Sequence, residues 1–176
     1  MKEDSDEMLM LSYAKGDAAA FEALYMRYRK ALYRYFLRYV SDPTTANDLY
    51  QGCWEKVIAA RTRYRDQSPF RAWLFRIAHN HLVDHYRAGR ETAALPADLE
   101  DPNPDRPAET LDEDARLRRF RRAIATLPRD QRDAFLLRME GGLSLEQLAT
   151  ATGVTPETAK SRLRYATRKL KEVLQS

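Results

Sequence analysis

The sequence predicts an all-α protein, in which a flexible, acidic, proline-containing linker joins two small helical domains. Apolar residues recur at helical spacing over long stretches of both halves of the chain. Only 6 Gly occur, and no Asn-Gly or Asp-Gly pair signals a β-hairpin. Between the halves, prolines stand at Pro96, Pro102, Pro104 and Pro107. Because proline lacks a backbone donor and disfavours helix at the residue before it, this segment is predicted to be a linker.

The same three parts differ in charge. The predicted first domain, linker and second domain occupy residues 1–90, 91–113 and 114–176. Residues 1–90 carry 15 Lys/Arg and 11 Asp/Glu, residues 91–115 carry one Arg and nine acids, and residues 116–176 carry 14 basic and six acidic side chains. Such a layout suggests nucleic acid bound at both ends of an extended, self-repelling tether. Solvated helix surfaces would produce the same pattern.

Composition excludes several protein classes. Hydrophobic residues make up 44% of the chain, which is enough to build cores. No run of about 18 apolar residues is present, so no membrane insertion is expected. The acidic start of the chain lacks the basic flank of a signal peptide, and the single cysteine, Cys53, rules out an intramolecular disulfide. These features favour a cytoplasmic protein.

Four helices are predicted before the linker, at about residues 4–15, 17–40, 44–61 and 69–88. Gly16 ends the first, Asp17 caps the second, and Ser41-Asp42-Pro43 separates the second from the third. The side chains expected in the core are Phe21, Leu24, Tyr25, Tyr28, Leu32, Phe36, Tyr39, Ala46, Leu49, Cys53, Val57, Phe70, Leu74, Ile77 and Ala78.

The fourth helix has an aromatic and basic face opposite its apolar one. That face carries Phe75, Arg76, His79, Asn80, Val83, Tyr86 and Arg87, with Trp73 at its edge. Rings mixed with cations suit unpaired bases, although the same rings could pack against neighbouring helices. His81 and His85 are four residues apart, but no HExxH motif is present. We expect buried, hydrogen-bonded histidines there and neither a metal nor a cofactor.

The second domain ends in a predicted helix-turn-helix. It follows helices near Asp114–Thr126 and Arg129–Met139. Ser144 caps its first helix, Gly153 supplies the turn, and Thr155-Pro156 begins the last helix.

The last helix has one apolar and one basic face. Ala159, Leu163, Ala166, Leu170 and Leu174 form the expected buried side. At about 100° per residue, the opposite side carries Glu157, Ser161, Arg164, Tyr165 and Arg168, flanked by Lys160 and Arg162. A recognition helix places such residues in the major groove of DNA, whereas a structural helical hairpin with a basic outer face would show the same pattern.

Five motifs follow one another along nearly the whole chain. They are Gly16-Asp17 with Phe21 and Leu24-Tyr25; Asp48-Leu49-Tyr50-Gln51 with Trp54; Phe70-Arg71-Ala72-Trp73-Leu74 with Ile77-Ala78-His79-Asn80, Asp84 and Arg87; Leu127-Pro128 with Gln131-Arg132; and Ala159-Lys160-Ser161-Arg162-Leu163. In this order, with the acidic linker between the third and fourth, the chain resembles a bacterial RNA polymerase sigma factor of the extracytoplasmic-function (ECF) group in the sigma-70 family.

The resemblance implies a non-catalytic promoter-specificity subunit that binds core RNA polymerase and promoter DNA. The first domain would bind the polymerase and recognise and open the −10 element, and the last helix would bind the −35 element as duplex. The linker would follow the RNA exit path. An anti-sigma factor is the expected inhibitor, and a response to stress or envelope signals is the expected role.

The resemblance also implies residue roles. For the −35 element it implies Thr158, Lys160, Ser161, Arg162, Arg164, Tyr165 and Arg168. For the −10 element and its melting it implies Tyr64, Arg65, Asp66, Ser68 and Phe70, in a loop that holds a flipped base, and Trp73, Arg76, His79, Asn80 and Arg87 along the opened strand. For core polymerase it implies Asp48, Gln51 and Glu55. Gly52 departs from the family pattern, which usually has an acidic residue there.

Two other functions compete with this hypothesis. A helix-turn-helix regulator would use its first domain to sense or dimerise and would bind an operator without polymerase. A helical metal hydrolase would use His81, Asp84 and His85.

Overall fold

The computed structural model describes residues 3–40, 42–89 and 108–176, except for the side chains of residues 108–111. Over these ranges the chain forms eight α-helices, one 3-10 turn at Arg61–Arg63 and no strand, which confirms the all-α prediction. The helices are α1 (Asp6–Ala14), α2 (Ala18–Tyr39), α3 (Pro43–Ala59), α4 (Phe70–Gly89), α5 (Ala108–Ala125), α6 (Arg129–Met139), α7 (Leu145–Thr152) and α8 (Pro156–Gln175).

Helix α5 begins earlier than the predicted helix near Asp114. Its start at Ala108 places the last residues of the predicted linker in helix, and residues 91–107 lie outside the described residues. The sequence is compatible with this start, because Pro107 immediately precedes Ala108 and acidic residues are stabilising near the positive end of a helix. The acidic composition of residues 108–113 is therefore compatible with a helix as well as with a linker.

The predicted helix caps are confirmed. The Asp17 carboxylate accepts hydrogen bonds from the backbone N–H groups of Ala19 and Ala20. Ser144 forms a capping box at the start of α7, and Thr155 accepts from the Thr158 N–H at the start of α8. Each cap satisfies a donor that the first helical turn leaves without a partner.

Helices α1–α4 form a first unit around fully buried apolar side chains. These include Leu24, Leu32, Phe36, Phe70 and Leu74. Helix α1 is attached through its acidic first turn. The Glu7 carboxylate accepts from the Phe70 N–H at 2.9 Å, and Asp6 pairs with Arg27 at 2.8 Å and accepts from the Tyr28 hydroxyl. The start of α4 is thereby held against α1.

Helices α5–α8 form a second unit in which α8 packs against α5, α6 and α7. Its core includes Ile124, Leu136, Leu137, Leu148 and Leu170. The face predicted for α8 is largely confirmed, since Ala159, Ala166 and Leu170 are buried and Leu163 and Leu174 are half-buried.

The two units pack on each other, and their buried residues form one continuous apolar cluster. Helix α7 lies against α4, and α5 and α6 lie against α2. This packing corrects the prediction for α4: Phe75 and His79, placed by periodicity on its outer face, are buried. Phe75 contacts Tyr35 of the first unit, with ring centroids 5.7 Å apart, and lies beside Gly141 of the second. Helix α4 is therefore covered on two sides.

None of the described helices combines the length and apolar character that crossing a lipid bilayer requires.

Candidate nucleic-acid interface

Helix α8 presents a basic and aromatic surface opposite its buried side. Lys160, Arg164, Tyr165 and Arg168 are exposed, and Ser161 is half-buried. The guanidinium groups of Arg164 and Arg168 lie 5.3 and 5.2 Å from the centre of the Tyr165 ring; Arg164 immediately precedes Tyr165, and Arg168 follows one turn later. Cation–π contacts of this kind hold both arginines in place on the surface of the helix. The surface therefore carries several cationic hydrogen-bond donors around one aromatic ring.

Arg162 and Thr158, also predicted to contact the −35 element, have ion-pair or hydrogen-bond partners within the protein. Arg162 pairs with Asp130 of α6 at 3.5 Å, because it lies on the flank of α8 that faces that helix. The Thr158 N–H donates to the capping Thr155 hydroxyl, which in turn donates to the Thr158 hydroxyl oxygen. Thr158 is exposed nonetheless, as the first turn of a recognition helix should be.

A groove on the other flank of α8 extends the basic surface. This cavity of about 540 Å³ is lined by Arg138, Leu145, Lys160, Leu163, Arg164, Thr167, Arg168 and Lys171. No acidic side chain is among its lining residues. Arg138 and Lys171 were not predicted from the sequence. Lys171 follows Arg164 by seven residues and could have been found by periodicity, whereas Arg138 comes from α6 and could not.

The loop at residues 64–70, which joins the 3-10 turn to α4, is anchored by two of the aromatic residues predicted to contact DNA. Tyr64 and Phe70 are buried, and the Tyr64 hydroxyl donates to the Ser68 carbonyl at 2.8 Å, which closes the loop. The Tyr64 ring lies 6.1 Å from Phe70 and 5.0 Å from Trp73. Tyr64 and Phe70 therefore support the loop from within the core, whereas Arg65 and Asp66 are exposed on it.

Of the α4 residues predicted to lie along the opened strand, Arg76, Asn80 and Arg87 are exposed, and Trp73 is half-buried. His79, predicted to lie along the opened strand, is only 7% exposed. Burial lowers the pKa of His79 below its ordinary value, with Asp133 opposing that shift and Arg129 adding to it. Both charged residues belong to α6, so the second unit covers this part of the surface.

Helix α3 presents the third predicted site. Asp48, Gln51 and Glu55 are all exposed and lie on one stripe of the helix. The structure explains the glycine at position 52, beside these residues. A Cβ there would lie 2.7 Å from Nε2 of His81 on α4. The acidic residue that the resemblance implies near this position could occupy it only if His81 moved.

The prediction that His81 and His85 of α4 are buried and hydrogen-bonded differs from the structure. His81 and His85 are half-buried, and Nδ1 of His81 has no hydrogen-bond partner. Burial lowers the pKa of His81, with Lys56 adding to the shift. Within the described ranges, no cluster of three His, Cys, Asp or Glu residues could hold a metal ion. Cys53 lies in the core, as predicted, and burial raises the pKa of its thiol to about 12.

Comparison with known protein families matches both units. Residues 24–92 match the family described as sigma-70 region 2, and residues 117–170 match the family described as sigma-70 region 4. The chain is 30% identical to the RNA polymerase sigma-H factor of Pseudomonas aeruginosa, over 99% of this chain and 96% of that protein. It is 34% identical to the ECF RNA polymerase sigma factor SigL of Mycobacterium tuberculosis, over 92% and 93%.

Two solved structures are similar over both units together. CnrH, in complex with the cytosolic domain of CnrY, has a TM-score of 0.75 and 27% identity, with 98% of each chain covered. The sigma factor RpoE, in complex with the anti-sigma factor NepR from Bartonella quintana, has a TM-score of 0.73 and 27% identity, with 88% of this chain and 96% of that chain covered.

Proposed function

Because the chain belongs to the ECF group of sigma-70 factors, the non-catalytic promoter-specificity subunits of RNA polymerase, we propose that its two DNA-facing surfaces contact different parts of one promoter. Helix α8 contacts the −35 element as duplex. The loop at residues 64–70 and the outer face of α4 contact the −10 element and hold it open. The exposed stripe on α3 contacts core polymerase.

The observation that carries this proposal is the Arg164–Tyr165–Arg168 array. It projects from the side of α8 opposite the buried Ala159 and Ala166, on a helix whose first turn is exposed. A recognition helix enters the major groove with such a side, where arginine pairs with guanine and neighbouring cations contact phosphates. The additional cations Arg138 and Lys171 extend the basic surface on one flank.

Opening of the −10 element requires a surface for unpaired bases. Trp73 offers a half-buried ring that packs edge-on against Tyr64, and Arg76, Asn80 and Arg87 are exposed along the same helix. Bases stack on aromatic rings while cations hold the backbone. A flipped base loses stacking worth a few kcal/mol, which contacts in the loop at residues 64–70 must offset.

An anti-sigma factor is the proposed inhibitor. The two similar solved structures contain the cytosolic domain of CnrY and the anti-sigma factor NepR, respectively. We propose that a protein of this kind holds the present chain inactive until a stress or envelope signal releases it. Its place of action is the cytoplasm, where RNA polymerase transcribes.

Reconstitution with core RNA polymerase tests the function. Adding the purified chain to core enzyme and fragmented genomic DNA should produce transcripts that begin at discrete promoters, each with a recognisable −35 and −10 element. A matched reaction without the chain should produce none of these starts. If no template supports initiation, and the chain instead binds an operator tightly without polymerase, the regulator hypothesis replaces this one.

A further inference from the structure

Helix α4 begins without a capping side chain of its own. The residue before it is Pro69, which has neither a backbone N–H nor a polar side chain. The first N–H groups of an α-helix have no acceptor within the helix, and a Ser, Thr, Asp or Asn side chain just before the helix commonly provides one. Helices α1, α2, α3, α7 and α8 each have such a cap. For α4, an acceptor must come from elsewhere in the chain or from solvent.

Glu7 of α1 supplies that acceptor. Its Oε1 accepts a hydrogen bond from the Phe70 N–H at 2.9 Å, although the two residues are 63 positions apart in the sequence. Phe70 is fully buried and Glu7 is half-buried. A carboxylate is favourable here because the amino-terminal end of a helix carries partial positive charge. The cap of α4 is thus provided by another helix, at the residue where the loop at residues 64–70 ends.

Glu7 also lies close to the other end of that loop. Helix α1 packs against the 3-10 turn at Arg61–Arg63, directly before the loop, as well as against α4. Burial raises the pKa of Tyr64 to about 12, and the nearby charge of Glu7 adds to the shift. The Tyr64 hydroxyl therefore stays protonated near neutral pH and donates to the Ser68 carbonyl. One carboxylate is close to both ends of the loop.

Asp6, the neighbour of Glu7, supports the side chain of Phe70 through Tyr28. The Asp6 carboxylate accepts from the Tyr28 hydroxyl. The Tyr28 ring packs edge-on against Phe70, with ring centroids 5.3 Å apart, and the Arg71 guanidinium lies 5.3 Å from the centre of the Tyr28 ring. The first turn of α1 therefore holds the backbone of Phe70 directly and its ring through one intermediate residue.

A loop that receives a flipped base benefits from being ordered before the base arrives. Ordering a loop costs conformational entropy, and the flipped base has already lost its stacking in the duplex. Interactions that fix a binding loop in advance reduce this cost and raise affinity. A cap that fixes one end of the loop can therefore assist opening of the −10 element without touching DNA.

We propose that Glu7 is a positioning residue for opening of the −10 element, which acts through the Phe70 N–H on the loop at residues 64–70. Its carboxylate fixes the point where α4 begins, so the two ends of the loop keep the spacing that a flipped base requires. The oxygen that accepts the hydrogen bond matters more than the negative charge. This inference rests on the proposed role of the loop in receiving that base.

Two substitutions at one position separate the hydrogen bond from the charge. Glu7→Ala removes the acceptor and one negative charge, whereas Glu7→Gln removes the same charge but keeps an oxygen that can accept from the Phe70 N–H. Glu22→Ala is the control elsewhere in the first unit, because Glu22 is exposed on α2 and the change in net charge is the same. Each full chain is assembled with core polymerase on a mapped promoter, and opening is measured as the permanganate reactivity of unpaired thymines.

Glu7→Ala should reduce opening about fivefold, within the range for one hydrogen bond. Glu7→Gln and Glu22→Ala should stay within about twofold of wild type, since both keep an acceptor for the Phe70 N–H.

An abasic site at the flipped position provides a readout that a purely structural role would not change. Placing single abasic sites along the −10 element identifies the position at which wild-type opening depends most on the base. On the template abasic at that position, Glu7→Ala and Glu7→Gln should open equally well, because no base enters the loop. Comparing two templates with the same variant cancels any loss of folded protein.

Three results would overturn the inference. Equal opening by Glu7→Ala and Glu7→Gln on the intact promoter would mean that the hydrogen bond does not position the loop. A loss of the same size on the abasic template would mean that Glu7 supports only the fold of the first unit. In both cases a base-sensitive position in wild type leaves the proposed function standing. If no position is base-sensitive in wild type, the proposed role of the loop is refuted together with that of Glu7.

Discussion

Helices α4 and α8 both have a basic, aromatic face opposite an apolar one, but the structure treats the two faces differently. On α8, Lys160, Arg164, Tyr165 and Arg168 are all exposed. On α4, the exposed residues Arg76, Asn80 and Arg87 share a helix with the buried Phe75 and His79. The α8 face is open to solvent, whereas the α4 face is partly covered by the second unit.

The difference shows what periodicity measures. A regular apolar stripe identifies the side of a helix that faces its own core, and for both helices that side was predicted correctly in outline. Periodicity does not say whether a second domain packs against the remaining surface. On α4, that surface is in contact with α7, with Arg129 of α6 and with the Gly141-Gly142 turn, and its Phe75 ring is part of the core.

Removing Arg164 should have the largest effect, because the α8 face is already open. Arg164→Ala removes one of two guanidinium groups stacked on Tyr165. A bidentate contact to guanine contributes about 1–3 kcal/mol, so initiation at −35-dependent promoters should fall by about tenfold or more. Transcript yield checks this, with Lys15→Ala on the surface of the first unit as a control.

Binding of the Arg164→Ala chain to core polymerase should be unchanged. An equal loss of polymerase binding and of initiation would indicate misfolding or a wrong assignment of the α8 face.

Trp73→Ala tests the α4 face with a somewhat smaller expected effect. Trp73 packs on Tyr64 with part of its ring exposed, so the substitution removes a stacking surface as well as a core contact. Initiation on duplex should fall by about fivefold, within the range for one base–aromatic stack. On a template with a pre-opened −10 bubble, the loss should be smaller. The same defect on both templates would make Trp73 a packing residue only.

Gly52→Ala tests the side of α4 that faces α3. In a His81→Ala background, the substitution should stabilise the protein by about 1 kcal/mol, since alanine is the better helix former. With His81 present, its Nε2 would lie 2.7 Å from the new Cβ, and the gain should vanish. Urea unfolding of the four variants gives the coupling between the two sites. Equal effects in both backgrounds would show that His81 rotates away freely.

The smallest expected effect is that the packing of the two units on each other depends on pH. Burial lowers the pKa of His79 below 6.5, so separation of the units favours its protonated form. The stabilisation is present above pH 6.5 and is lost as the pH falls through the lowered pKa. The radius of gyration should therefore rise modestly between about pH 7.5 and 5.5. His79→Gln should flatten this rise, whereas His81→Gln should leave it intact.

Local features of this fold could be predicted from the sequence. The caps at Asp17, Ser144 and Thr155 depend on residues three or fewer positions away, and all three formed as predicted. The exposed α8 face followed from spacing alone. The five ordered motifs predicted the family, which the comparisons confirmed.

Features that depend on distant residues could not be predicted. Arg138 joins the basic groove from α6, and His79 is buried by α6 rather than by its own neighbours. The packing of Gly52 against His81 is visible only once α3 and α4 are placed together. The start of α5 at Ala108 was missed because acidic residues suit both a linker and the first turns of a helix.

Photo-crosslinking from both faces tests the central claim most directly. A photoreactive phenylalanine derivative would replace Tyr165 in one chain and Trp73 in another, each assembled with core polymerase on the same mapped promoter. Position 165 should crosslink to duplex at the −35 element, and position 73 to the strand opened at the −10 element, only in the presence of polymerase. Crosslinks from both positions to one short duplex site, formed equally well without polymerase, would contradict a promoter contacted at two places.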